Sequence, residues 1–123
     1  MKIPDNSPLW NLTELQYNWD NCGGLSPSQE MFAFAQSVVD QLRFIFHNDD
    51  EMPHARLTST GGFQFEWINL KKPEFELVLQ LDPSGTHNWK MKLEGLDDAE
   101  GTASTRGRLI AVAAVFWCHL SEE

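Results

Sequence analysis

The feature that most limits what this chain can fold into lies between Pro53 and Glu94, where short segments of alternating apolar and polar residues are separated by turn signals. Phe63, Phe65 and Trp67 alternate with Gln64 and Glu66, and Phe75, Leu77, Leu79 and Leu81 alternate with Glu76, Val78 and Gln80. Trp89, Met91 and Leu93 alternate with Lys90 and Lys92. Successive side chains of a strand point to opposite faces, so this period buries one face and wets the other. An antiparallel sheet with one covered face follows. Strands are expected at 54–59, 63–70, 75–81 and 88–93. The turns between them are Thr60-Gly61-Gly62, Asn69 to Pro73, and Asp82-Pro83-Ser84-Gly85. The last has the Asp, Pro and Gly placement of a type I turn. Connections this short favour a meander.

Helical signals flank the sheet. Leu9, Leu12, Leu15 and Tyr17 give a short helical pattern that breaks at Asn21-Cys22-Gly23-Gly24. Ser26-Pro27-Ser28-Gln29 reads as an N-cap, a proline at the first helical position and a capping-box glutamine. Phe32, Ala35, Val38, Val39, Leu42, Ile45 and Phe46 then repeat with helical spacing, predicting a helix that ends near His47-Asn48. After a small acidic linker from Gly95 to Gly101, Thr102, Ser104 or Thr105 can cap a last helix running to about Leu120. Its Leu109 to Cys118 stretch is apolar around the whole circumference and so asks to be covered on all sides. The expected fold is α+β: two N-terminal helices, a four-stranded antiparallel β-meander and a buried C-terminal helix packed on one sheet face. With 123 residues and 14.1 kDa it is expected to form one domain over 1–123, residues 1–8 being a loose arm.

Nine basic against eighteen acidic residues leave a formal charge of −9. Affinity for phosphate backbones comes from Lys and Arg, so direct nucleic-acid binding is not expected, whereas docking on a basic protein surface is. Cys22 and Cys118 are too few for a disulfide framework, and Cys118, inside the apolar run, is expected to be buried. Met1 to Leu9 has no apolar core of a leader peptide, and Leu109 to Cys118 is about half the length a membrane span needs. A cytoplasmic setting without membrane attachment is the expectation.

No catalytic motif is attached to this frame. Cys22 beside Gly23 and Gly24 would serve as a nucleophile only with a histidine nearby in space, and His47, His54, His87 and His119 are scattered. A thiol enzyme using Cys22 is thus one alternative, and a glycine turn closing a helix is the other. Metal ligand spacings are missing, and Asp49-Asp50-Glu51 reads as a solvated loop, so neither metal nor cofactor is expected. Gly61-Gly62 belongs to no phosphate-binding pattern. Arg106-Gly107-Arg108 reads as helix-end charge that could otherwise grip a carboxylate or phosphate. The candidate partner-binding residues are the acidic groups Asp49, Asp50 and Glu51 with Asp97, Asp98 and Glu100. Ile110, Ala114 and Trp117 are the candidate homodimer interface, since a helix with no polar face can be covered by a second subunit.

Two blocks of residues carry a resemblance. The first is Asn18-Trp19-Asp20 with Gly24 and then Pro27-Ser28; the second is Pro53, then Thr60 through Trp67, then Phe75 through Leu79 and Asp82 through Gly85. Together they resemble a loosely defined group of small, uncharacterised bacterial and phage proteins over about residues 9 to 85. Asn21 and Cys22 depart from it, standing where the group has a glycine and an aromatic residue, and the chain after Gly95 is not part of the likeness. The resemblance implies scaffold roles, with Trp19 as a core plug, and an accessory setting. The expected function is therefore non-catalytic: an acidic inhibitor such as an antitoxin, an immunity protein or a phage inhibitor of a nuclease or CRISPR complex. A dimeric chaperone-like or assembly protein is the alternative.

Overall fold

In the computed structural model, which describes residues 9, 27–47, 51–68, 75–93, 95 and 97–120, the alternating segments form the centre of an antiparallel sheet. The strands are β1 (His54–Leu57), β2 (Phe63–Ile68), β3 (Glu76–Leu81), β4 (His87–Lys92) and β5 (Ala99–Ala103), in the order β1-β2-β3-β4-β5. The helices are α1 (Gln29–Leu42), before the sheet, and α2 (Arg106–Leu120), after it. The architecture is the expected α+β meander with one correction, a fifth strand. Ala99-Glu100-Gly101-Thr102-Ala103 has neither apolar alternation nor a β-branched run; residues 99–101 were expected as linker and Thr102 as one possible helix cap. It pairs along β4, where Trp89 faces Gly101 and Lys90 faces Glu100. A Cβ at residue 101 would lie 2.9 Å from the Trp89 indole, so glycine is what lets this ring lie across the last strand.

The register places Phe63 opposite Leu81, Phe65 opposite Leu79, and Trp67 opposite Leu77, which in turn faces Met91. All of these side chains are buried, together with Leu57 and Ala103, on a single face. Both helices cover it. From α1, Met31, Ala35, Val38, Val39 and Leu42 are buried, and from α2, Leu109, Val112, Ala113 and Phe116. The rings interlock at angles: Phe32 meets Phe63 edge-on at 5.0 Å, and Phe46 lies 5.3 Å from Trp67 and 5.4 Å from Trp117. Such aromatic pairs add about 0.5–1.5 kcal/mol beyond the area they bury.

Helix ends differ from expectation in instructive ways. The cap of α1 is Ser28, whose Oγ accepts the Met31 amide at 3.1 Å, and Pro27 precedes it, buried. The expected cap at Ser26, with Pro27 as the first helical residue, is thus corrected by two positions, because Ser28 offers the same capping oxygen and the helix begins only at Gln29. The apolar spacing past Leu42 continues through tight turns, not helix: Phe44 and Ile45 donate to the carbonyls of Gln41 and Leu42, and Phe46 donates to Leu42 at 2.8 Å. This turn swings Phe46 into the core and leaves Phe44 80 % exposed. At α2, Thr105 is the capping residue that forms, accepting the Arg108 amide at 3.2 Å. The expected short helix over 9–18 lies outside the described residues, save Leu9, which is fully buried. The expected arm over 1–8, the 69–73 turn and Trp19 are likewise outside them.

α2 is not covered all round. Ala111, Val115 and Cys118 are exposed, because the sheet and α1 reach only one side of it. Both the expected burial of the helix and that of the Cys118 thiol are corrected here.

Two hairpins show turn chemistry directly. Gly85, at φ +89°, donates to the Asp82 carbonyl at 3.1 Å, and Asp82 Oδ2 accepts the Ser84 amide at 3.0 Å. In the β1–β2 turn the Gly62 amide donates to Thr58 Oγ1 at 3.0 Å. A Cβ on Gly62 would press into the Leu81 backbone carbonyl of β3, far inside van der Waals contact. Since backbone cannot step aside cheaply, Gly62→Ala is expected to cost about 3 kcal/mol, a fall in thermal midpoint of roughly 10 °C. Gly85→Ala meets only the positive-φ penalty, about 1 kcal/mol, because nothing stands near its Cβ. Thermal unfolding of the two variants side by side checks this order.

Candidate binding surface on the open sheet face

Since both helices lie against the face that carries the apolar rows, the opposite face of the sheet is left to polar residues. Arg56, Gln64, Glu66, Glu76, Val78, Gln80, Asn88, Lys90, Lys92, Glu100 and Thr102 project from it, with Ile68 56 % exposed at one corner. Acids stand opposite lysines across it: Glu76 is the register partner of Lys92, and Lys90 that of Glu100. Toward the β1 edge, Arg56 pairs with Glu66, and Glu66 also accepts from the Gln64 amide. Exposed pairs of this kind contribute little to stability, roughly 0–1 kcal/mol each. Together they leave the face balanced in charge.

Two adjoining depressions mark this face. One, of about 400 Å³, is lined among others by Val78, Gln80, Asn88, Lys90, Glu100 and Thr102. The other, of about 150 Å³, is lined by Glu76, Val78, Lys90, Lys92 and Asp98. Val78 belongs to both and is the apolar floor. It was visible in the sequence as an apolar residue at a polar position of its strand; Asn88 and Thr102 carried no comparable signal.

The candidate acidic residues do not form one patch. Asp49 and Asp50 lie outside the described residues. Glu51 is half-buried, and its main-chain carbonyl accepts the Trp67 indole N–H at 3.1 Å, which ties the segment before β1 to the end of β2. Asp97 and Asp98 are exposed just before β5, and Glu100 is exposed on it. Three to four strand spacings, roughly 14–19 Å, separate the two groups across the same end of the sheet. Of these candidates, Asp98 and Glu100 are the ones that the fold brings to the depressions, beside Lys90 and Lys92.

Of the candidate dimer residues, Ile110, Ala114 and Trp117 are each half-buried, and the Trp117 ring is met edge-on by Phe46. Cys22 lies outside the described residues. Arg106 reaches Gln41 of α1: with the amide oxygen turned toward the guanidinium, it accepts from Nε at 3.2 Å and Nη2 at 3.3 Å. Among the described residues, no group of three or more His, Cys, Asp or Glu is placed to hold a metal ion, and no helix is long and apolar enough to cross a membrane.

His87 is the buried histidine. It opens β4 on the inner face, stacks on Phe34 at 5.0 Å, and its Nδ1 accepts the Asp82 amide at 3.0 Å. That acceptor role requires the neutral ring. Burial pushes its pKa below the ordinary 6.5, against the weaker opposing pull of the Asp82 carboxylate. The Asp82 carboxyl is itself held below its usual value, first by the Ser84 hydrogen bonds. The stability consequence has a definite sign. As pH falls through about 6.5, the unfolded chain takes up a proton that the folded ring resists, so stability declines. The thermal midpoint should therefore drop between about pH 7.5 and pH 5.5, and His87→Gln, which keeps an acceptor but does not titrate, should flatten that drop. An unchanged slope in the variant would remove His87 from the account.

The chain matches no family model, no curated protein and no solved structure.

Proposed function

We propose that the protein is a non-catalytic, acidic protein-binding module: an inhibitor of the antitoxin, immunity or phage counter-defence kind, anti-CRISPR proteins included. Its partner would be a nucleic-acid-handling protein with a basic surface. The observation that carries this reading is the bare sheet face, ordered by cross-strand charge pairs, floored by Val78 and rimmed at the β5 edge by Asp97, Asp98 and Glu100. A flat face with an apolar floor and a polar surround has the anatomy of a docking surface. The net charge of −9 supports a basic partner, because complementary charge speeds encounter and rejects wrong partners. The resemblance to small bacterial and phage proteins favours the inhibitor setting by association.

The test is affinity capture from host-cell extract with the chain and with a variant carrying Asp97→Asn, Asp98→Asn and Glu100→Gln. The reading expects one nucleic-acid-handling protein on the unaltered chain, released when salt is raised, and about tenfold less of it on the variant. A partner retained equally by both proteins and indifferent to salt would sink the electrostatic account.

A further inference from the structure

β1 and β5 are the outer strands of the sheet, and they are built differently. β1 has four residues, follows Pro53, which has no N–H to offer a neighbour, and carries His54 and Arg56, both exposed. Charge and proline on an outer strand keep it from pairing further. β5 has no such guard: Ala99, Glu100, Gly101, Thr102 and Ala103 include neither proline nor lysine. Its register on β4 runs without a bulge, from Ala103 opposite His87 to Ala99 opposite Met91. In an antiparallel ladder, alternate residues turn their N–H and C=O groups away from the strand they pair with. Among the described residues β5 pairs with β4 alone, so those alternate groups point outward with no backbone partner.

The side chains along this edge decide what can be added to it. On the open face, Asp98 and Glu100 stand two residues apart and line the two depressions. On the other face, Trp89 is the register partner of Gly101, and its half-buried indole extends over that residue toward the edge. A second copy of β5 is a poor match, since it would bring Asp97, Asp98 and Glu100 up against the same three acids. A segment with Lys or Arg at every second position and apolar residues between them suits both faces at once. We infer that β5 is a docking edge that takes such a segment of a partner protein as a sixth strand. The backbone ladder holds the segment, its basic side chains meet Asp98 and Glu100, and its apolar side chains meet the Trp89 indole. This inference rests on the reading of the protein as a binder of a basic partner, and it adds where and in what conformation that partner is held.

A blocked heptapeptide alternating lysine and valine, titrated at low salt into the full chain and followed by amide NMR, tests it. Saturable binding below millimolar concentration is expected, with the largest shifts in β5 and at the Trp89 indole N–H. An isomer with its lysines grouped at one end should bind about tenfold more weakly, since it cannot match both faces. N-methylation of every second peptide amide should abolish binding in one phase and spare it in the other, because only alternate N–H groups face β5. Asp98→Asn with Glu100→Gln, at exposed positions, should weaken binding about tenfold while circular dichroism is unchanged. No saturable binding at millimolar concentration, shifts centred away from β5, or equal loss in both N-methyl phases each overturns the inference. Shifts in β5 that grow with the concentration of the chain alone put a second copy at the edge, and overturn it too. If the peptide binds as stated but capture from extract yields no nucleic-acid-handling protein, the edge stands and that partner class falls. If capture succeeds and the peptide fails, the partner is held elsewhere and this inference alone falls.

Discussion

The rows of cross-strand pairs on the inner face of β2 and β3 govern the rest of the molecule. Phe63 against Leu81, Phe65 against Leu79 and Trp67 against Leu77 bury six large apolar side chains in strict alternation. A slip of one residue would turn Gln64 and Glu66 into the core, so the pairing has a single workable register. Gly62 reinforces it, since the β1–β2 turn can lie against the Leu81 carbonyl only where there is no side chain. Once this face exists it must be covered, and among the described residues α1 and α2 bring the apolar stripes that cover it.

Putting both helices on one side has an electrostatic corollary. The bare face carries Arg56, Lys90 and Lys92 against Glu66, Glu76 and Glu100, which balances in sign. The surplus of acid therefore lies off the face, and Asp97 and Asp98 sit at its rim. In the proposed reading the rim steers a basic partner from a distance, and the balanced face, with its Val78 floor, decides which partner fits.

How much of this was legible in the sequence follows from where local chemistry and tertiary context agree. β2, β3 and β4 announced themselves because each alternates across a single buried face. The Asp82 to Gly85 turn was equally plain, as aspartate, proline and glycine each have a local reason to be there. β5 was hidden because its reason for being a strand is not local: the edge of β4 needs hydrogen-bond partners and Trp89 needs a neighbour without a side chain. α2 was over-read. Apolar composition all round was taken as a demand for burial, but a helix at the margin of a two-layer fold has only one side to bury. For the candidate surface, the polar positions of the central strands were readable one by one. The placing of Glu100 at one depression and Asp98 at the other, each beside Lys90 and Val78, required β5, and so could not be foreseen without it.

The order of elements along the chain matters for how the molecule is made. α2 follows every strand of the sheet it covers. On a ribosome the sheet is synthesised before the helix that shields Leu77, Leu79, Met91 and Ala103, and a domain emerges N-terminal end first at about 5–20 residues per second. For that interval the nascent chain presents a sticky apolar face with only part of its lid in place. The formal charge of −9 sets such half-finished copies against one another by self-repulsion.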